Sequence, residues 1–256
     1  PESRMEQEGR DTGYRVLRIQ VDHQTDIGGR YTAPGTRVFL LPFALRLRST
    51  LQTMLQAVQQ AHSEDVKDPR GYLAFGQFLY RQAREGRDKL TFLLPERLGS
   101  LGAWGEQLFE ESLGKNGKGL TVFPDEPLTF DELRPRREND RVFLHVRLAD
   151  QPDPYADFVA ELRRRGYPVW TMTLPSVEAV PSVLYGFEKT VATIGYLWDM
   201  NFVDQPAVDG YKDETNRVLE EAGDEDPLTR TPSQRMYQVG QPGEPILIYE
   251  SLMRRG

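Results

Sequence analysis

The chain has 256 residues, of which 38% are hydrophobic and 10% aromatic, a composition that sustains a buried core and excludes an intrinsically disordered chain. Lys and Arg number 32 against 39 Asp and Glu, a formal charge of −7, so the summed field repels phosphate backbones and anionic lipid, and neither nucleic acid nor a membrane is an expected partner. Cys is absent, which removes disulfides, thiolate nucleophiles and Cys-based zinc sites, and with no secretory apolar segment the expectation is a soluble protein of the reducing cytoplasm.

In chain order, 14–21 mixes apolar and charged residues with partial alternation and reads as a half-buried strand. After the glycines at 28 and 29 and the break at Pro34-Gly35, residues 38–61 carry helix-period apolar positions, with Thr36 as a cap and Pro42 as a kink or restart. Residues 71–85 form a further predicted helix. A short apolar run at 89–94 ends at Pro95 and leads to a helix over 97–113, then a strand over 119–123. The alternation Val142, Leu144, Val146, Leu148 predicts a strand over 141–148, followed by a helix over 155–165 and a strand over 168–174. The apolar stretch 180–200 holds Glu188, Lys189 and Asp199, so it reads as a buried helix and not a membrane span. Strands alternating with helices predict an α/β fold with a mostly parallel sheet, in which ligands sit outside the carboxyl ends of the strands. Residues 223–245 read as an acidic linker, and the apolar run after them as the start of another strand.

Four places carry residue types suited to chemistry. Gln107 and Glu111 are four apart and share one helix face, either as exposed surface or as an amide and a base aimed the same way. Gly28-Gly29 permits close backbone approach beside Arg30, either as a plain turn or as an oxyanion site. Lys212 falls one to two turns into a helix opened by Pro206, as a surface residue or as a cation aimed into a cleft. The run from Gly114 to Gly119 lacks the spacing of a phosphate-binding Walker loop and reads as a glycine-rich helix stop. The three His, at 23, 62 and 145, have no metal-ligand spacing, and no metal is expected.

Taken together these places resemble the phosphoglucose isomerase family. Asp26-Ile27-Gly28-Gly29-Arg30-Tyr31-Thr32 is similar to its first signature, Phe202-Val203-Asp204-Gln205-Pro206-Ala207-Val208 through Lys212 to its second, and Glu106-Gln107-Leu108 through Glu111-Ser112-Leu113-Gly114-Lys115 to the segment holding its catalytic base. The resemblance spans roughly residues 14–220. It is closest to the isomerase part of bifunctional transaldolase/phosphoglucose isomerases, through Gly86-Arg87-Asp88-Lys89-Leu90-Thr91-Phe92 and the Gly-Lys-Asn-Gly-Lys-Gly run.

The resemblance implies a three-layer, flavodoxin-like sugar isomerase (SIS) domain over 88–222, preceded at 1–87 by a connecting strand and helices that follow a first SIS domain outside the chain, with 223–256 as linker and strand start. It implies interconversion of glucose 6-phosphate and fructose 6-phosphate through a cis-enediolate, without metal or organic cofactor. Glu111 is then the base, Arg30 the cation beside the enediolate, and Lys212 the group assisting ring opening, while Gln107, Gly29 and Gln205 contact the substrate. The family's ring-opening His has no match, and Tyr167 stands where the bifunctional relatives have His. The family's Ser/Thr-rich phosphate loop also has no counterpart in the chain, so the implied partners are a sugar phosphate, the first SIS domain or a partner chain, and further copies in a homo-oligomer. The alternative from another class is a non-catalytic sugar-phosphate-binding module or an inactive fragment.

Overall fold

The computed structural model describes residues 4–13, 29–32, 35–68, 70–124, 126–131, 133, 139–204, 210–211 and 213–218. The chain divides into two compact units, Pro1–Asp204 and Gln205–Gly256. In the second unit the described residues are helical. The predicted strand at 14–21 and the linker and strand start after 223 lie outside the described residues.

The first unit opens with α1 (Arg4–Asp11), which the sequence reading did not anticipate, and a single turn, α2 (Gly29–Thr32). α3 (Arg37–Arg46), α4 (Leu51–Lys67) and α5 (Arg70–Arg84) follow. Thr36 caps α3 by accepting from the Val38 amide. Pro42 does not restart the helix: it sits inside α3, and the break falls at 47–50, where Arg48 takes φ 54° and Thr50 caps α4. The helix tolerates Pro42 because the carbonyl that loses its partner belongs to Val38, on the 48% exposed side.

β1 (Lys89–Leu93), α6 (Gly99–Leu113), β2 (Thr121–Phe123), β3 (Arg141–Leu148), α7 (Ala156–Arg164), β4 (Val169–Leu174) and α8 (Val180–Leu197) complete the unit, with short 3₁₀ turns leading into α6 and α8. The strands form a parallel sheet in the order β2-β1-β3-β4. Alternate side chains define its two faces. Leu90, Phe92, Val142, Leu144 and Val146 join the main core with residues of α5, α6 and α8, whereas Leu93 and Phe143 join a smaller core with Val159 and Leu162 of α7. The result is the expected three layers. Phe187 of α8 is the hub of the main core, its ring 5.7 Å from Phe109, 6.0 Å from Phe92, 6.2 Å from Phe75 and 6.3 Å from Trp104. Its removal to Ala would cost about 3–5 kcal/mol.

At the carboxyl ends of β1 and β4, between α3, α6 and α8, lies a cavity of about 710 Å³ walled by Phe39, Phe43, Leu101, Trp104, Val180 and Leu184. Among the described residues, Arg30, Gln107 and Glu111 do not line it. Glu111, Gln107 and the 201–204 segment sit near the C-terminal ends of α6 and α8, helices that run back from the carboxyl edge and end at the amino edge. No helix among the described residues is long and apolar enough to cross a membrane.

Candidate functional site

α6 buries Leu101, Gly105, Leu108, Phe109 and Ser112 against the sheet and α8, a stripe of 3.6-residue period that fixes its rotation. That rotation leaves Gln107 exposed and Glu111 partly buried, one turn apart at the helix's end. α8 ends beside it. Gly195, in the last turn of α8, lets Phe202 close down, since a Cβ there would lie 2.6 Å from the Phe202 ring. Phe202 in turn stacks at a tilt on Tyr31 of α2, with ring centroids 5.8 Å apart.

Two helix C-termini meeting at one edge gather unpaired carbonyls and partial negative charge, which cations offset. Three side chains do so. Lys118 Nζ donates to the Trp198 carbonyl at 3.0 Å. Lys115, its side chain 8% exposed, donates to the Asn201 carbonyl at 2.7 Å and to the carbonyl and carboxylate of Asp204. Arg30 Nη2 donates to the carbonyls of Phe202, Val203 and Asp204 at 3.3, 2.9 and 3.2 Å. Both lysines come from the glycine-rich run, which is a helix stop as expected: Lys115 and Lys118 exchange backbone hydrogen bonds across Asn116 (φ 56°) and Gly117 (φ 70°), a tight turn that needs positive φ at both central residues.

The remaining donors of Arg30 reach α6. Nη1 pairs with Glu111 Oε1 at 3.0 Å and Nε donates to Ser112 Oγ at 2.9 Å, both across about eighty residues of sequence. Gln107 Nε2 donates to the other Glu111 oxygen at 3.3 Å. The neighbouring Tyr31 donates its hydroxyl to Ser112 Oγ at 3.2 Å, and burial pushes its phenol up to about 12. On α8, burial lifts the Glu188 carboxyl to about 8, and its Oε1 has no hydrogen-bond partner among the described residues. Chemically, the cluster offers a carboxylate held between a guanidinium and an amide, the arrangement of a base whose charge is balanced from one side.

Of the residues singled out in the sequence, Arg30, Glu111 and Gln107 come together, and Gly29 opens the turn that carries Arg30. Gln205 and Lys212 lie outside the described residues. Tyr167 is buried in the α7-side core, its ring edge-on to Phe143. His145 is a satisfied core histidine, with Asp153 at 3.1 Å and Thr171 at 3.3 Å. Sequence reasoning missed Ser112, Tyr31, Lys115 and Glu188 as members of the cluster. Two of them broke a visible pattern, a Ser on an apolar helix stripe and a Glu inside an apolar run, and that was the available signal.

No family model matches the chain. It is 28% identical to the glucose-6-phosphate isomerase of Synechococcus sp. (strain JA-3-3Ab), over 86% of this chain and 48% of that protein. It is 26% identical to that of Parabacteroides distasonis, over 82% and 56% respectively. The chain thus spans about half the length of the relatives it matches. Among solved structures, the fold is shared with hypothetical protein TT0462 from Thermus thermophilus (TM-score 0.66, 22% identity, 86% of this chain and 61% of that one). It is shared also with a glucose-6-phosphate isomerase from Chlamydia trachomatis (TM-score 0.59, 14% identity, 91% and 57%). The chain is thus similar in sequence along most of its length to glucose-6-phosphate isomerases, and it shares its fold with one of them.

Proposed function

We propose that this chain supplies the proton-transfer centre of an aldose–ketose isomerase that interconverts glucose 6-phosphate and fructose 6-phosphate, with residues 88–222 acting as the second sugar-isomerase domain of the complete gene product. The observation that carries the reading is the meeting of Arg30 and Glu111 at 3.0 Å, with Gln107 on the second carboxylate oxygen. A module that only binds sugar phosphate needs donors for the phosphate and has no use for a carboxylate poised in this way.

The chemistry follows from charge conservation. Glu111 takes the proton from C2 and becomes neutral, while the negative charge it held passes to the enediolate oxygens. Arg30 then loses its counter-ion as the substrate gains the charge, so the guanidinium favours the enediolate over the bound sugar. Returning the proton to C1, while the hydroxyl proton passes from O2 to O1, gives the ketose and restores the ion pair. No net charge moves across the site in a complete turn. Gln107 holds Glu111 and reaches the sugar; by their motif positions Lys212 assists ring opening, and Gly29 and Gln205 bind the substrate. The reaction so written uses only protein side chains, and a homo-oligomer working in the cytoplasm is part of the proposal. Incubating the complete gene product with glucose 6-phosphate and following fructose 6-phosphate by a coupled assay tests it. Turnover supports the reading, and sugar-phosphate binding without turnover replaces it with the binding-module reading.

A further inference from the structure

Ser112 stands where α6 calls for an apolar side chain. The buried stripe runs Leu101, Gly105, Leu108, Phe109, Ser112, and the Ser is fully buried. A hydroxyl has one proton to give and two lone pairs to offer. Both acceptor positions serve consecutive residues of α2: Arg30 Nε at 2.9 Å and Tyr31 Oη at 3.2 Å. An Ala would fill the same place without a buried polar atom, so the oxygen needs an explanation beyond packing. Tyr31 is itself seated, its ring tilted on Phe202 and 5.4 Å from the Arg30 guanidinium carbon. Burial keeps its phenol in the donor form across the accessible pH range.

We propose that Ser112 and Tyr31 are positioning residues for Arg30. The geometry gives the reason. A planar guanidinium held only by the carbonyls of 202–204 can still roll about that edge, and contact with Glu111 does not prevent it, because a carboxylate accepts over a wide arc. A third anchor at Nε fixes the plane. Ser112 is that anchor, and Tyr31 fixes Ser112 by occupying its second lone pair. With the plane fixed, Nη1 is aimed at Glu111 and at whatever Glu111 deprotonates. The inference rests on the isomerase reading for its catalytic consequence, but the anchoring itself is measurable without turnover.

The test uses the complete gene product and three variants, Ser112→Ala, Ser112→Thr and Tyr31→Phe. Ser112→Ala is expected to lower kcat about tenfold to a hundredfold, as misplacement of a charged group by a fraction of an ångström does, with KM for glucose 6-phosphate changed less than about threefold. Ser112→Thr keeps the acceptor and should recover most of the loss. Tyr31→Phe should lose less than Ser112→Ala. Independently, solvent exchange of the Arg30 Nε–H, followed by NMR, should be slow in the parent and accelerate about tenfold in Ser112→Ala. Unchanged exchange, or a Thr variant as poor as the Ala variant in both readouts, overturns the proposal. If Ser112→Ala fails to fold, Tyr31→Phe carries the same two readouts, and its matching the parent in both also overturns it. A parent with no isomerase activity would remove the functional reading, while the exchange measurement would still decide whether Ser112 holds Arg30.

Discussion

Replacing Glu188 by Gln removes an ionisable group from the interior of α8 with almost no change of shape. Burial lifts this carboxyl from an ordinary 4.5 to about 8, and its Oε1 is shielded from solvent with no hydrogen-bond partner among the described residues. Between those two values the folded protein keeps a proton that the unfolded chain has released, so the folded state binds more protons and stability falls as pH rises through the window. Below about pH 4.5 both states hold the proton and the penalty vanishes; above about pH 8 it is fully developed. At about 1.4 kcal/mol per unit, a rise from about pH 5 to about pH 7.5 would cost about 3 kcal/mol if the whole shift were realised. The side chain is only partly buried, and solvent screening brings the expectation to about 1–2 kcal/mol. Glu188→Gln should abolish that component. Thermal unfolding of parent and variant across this range should show the variant gaining on the parent with rising pH, by about 2–8 °C at the alkaline end. Parallel stability curves, or a variant that loses ground as pH rises, would refute the burial argument.

Arg30→Ala should lower kcat more than it weakens a competitive sugar-phosphate inhibitor, and should destabilise the fold by about 3 kcal/mol, because it leaves Glu111 without its counter-ion. Arg30→Lys should rescue only part of the rate, since an ammonium keeps the charge but loses the planar fork that spans Ser112, Glu111 and the 202–204 carbonyls. Lys115→Met should keep the stem's packing and lose the hold on the Asn201 and Asp204 carbonyls; differential hydrogen exchange should show faster amide opening around 201–204 with the sheet unchanged. Gly195→Ala should push Phe202 off α8, lowering stability by about 1–3 kcal/mol and reducing activity along with it, as read by denaturant unfolding and steady-state kinetics.

The sheet was legible because its strands are buried on both faces and its helices on one, so apolar runs and 3.6-residue stripes mark them: β3 at 141–148 was read to the residue, and β1, β4 and α7 to within one or two. The break between α3 and α4 was not, because Pro42 offers a louder signal than Arg48, which takes the left-handed position of a helix-ending motif, usually held by Gly, where the amides of Arg48 and Ser49 bond back to the Leu45 and Ala44 carbonyls. The candidate site was legible only through motif order. Spacing placed Gln107 and Glu111 on one face, but nothing local shows that Arg30 crosses eighty residues to reach them. The general rule for parallel sheets directs attention to loops after strands, whereas the Arg30–Glu111 pairing is made where helices end, so that rule does not lead to it. Ser112 and Glu188 were visible as polar residues in apolar patterns, a sign of function or strain that periodicity alone cannot resolve.

In the isomerase proposed here, Glu111 moves the proton between C2 and C1. Incubating the complete gene product with glucose 6-phosphate in deuterated water, and following loss of the C2 proton signal by NMR, measures that step directly. Ready exchange is expected in the parent and a fall of about a hundredfold to ten-thousandfold in Glu111→Gln, with binding of a sugar-phosphate inhibitor changed only a few-fold. Exchange retained at the parental rate in Glu111→Gln would contradict it.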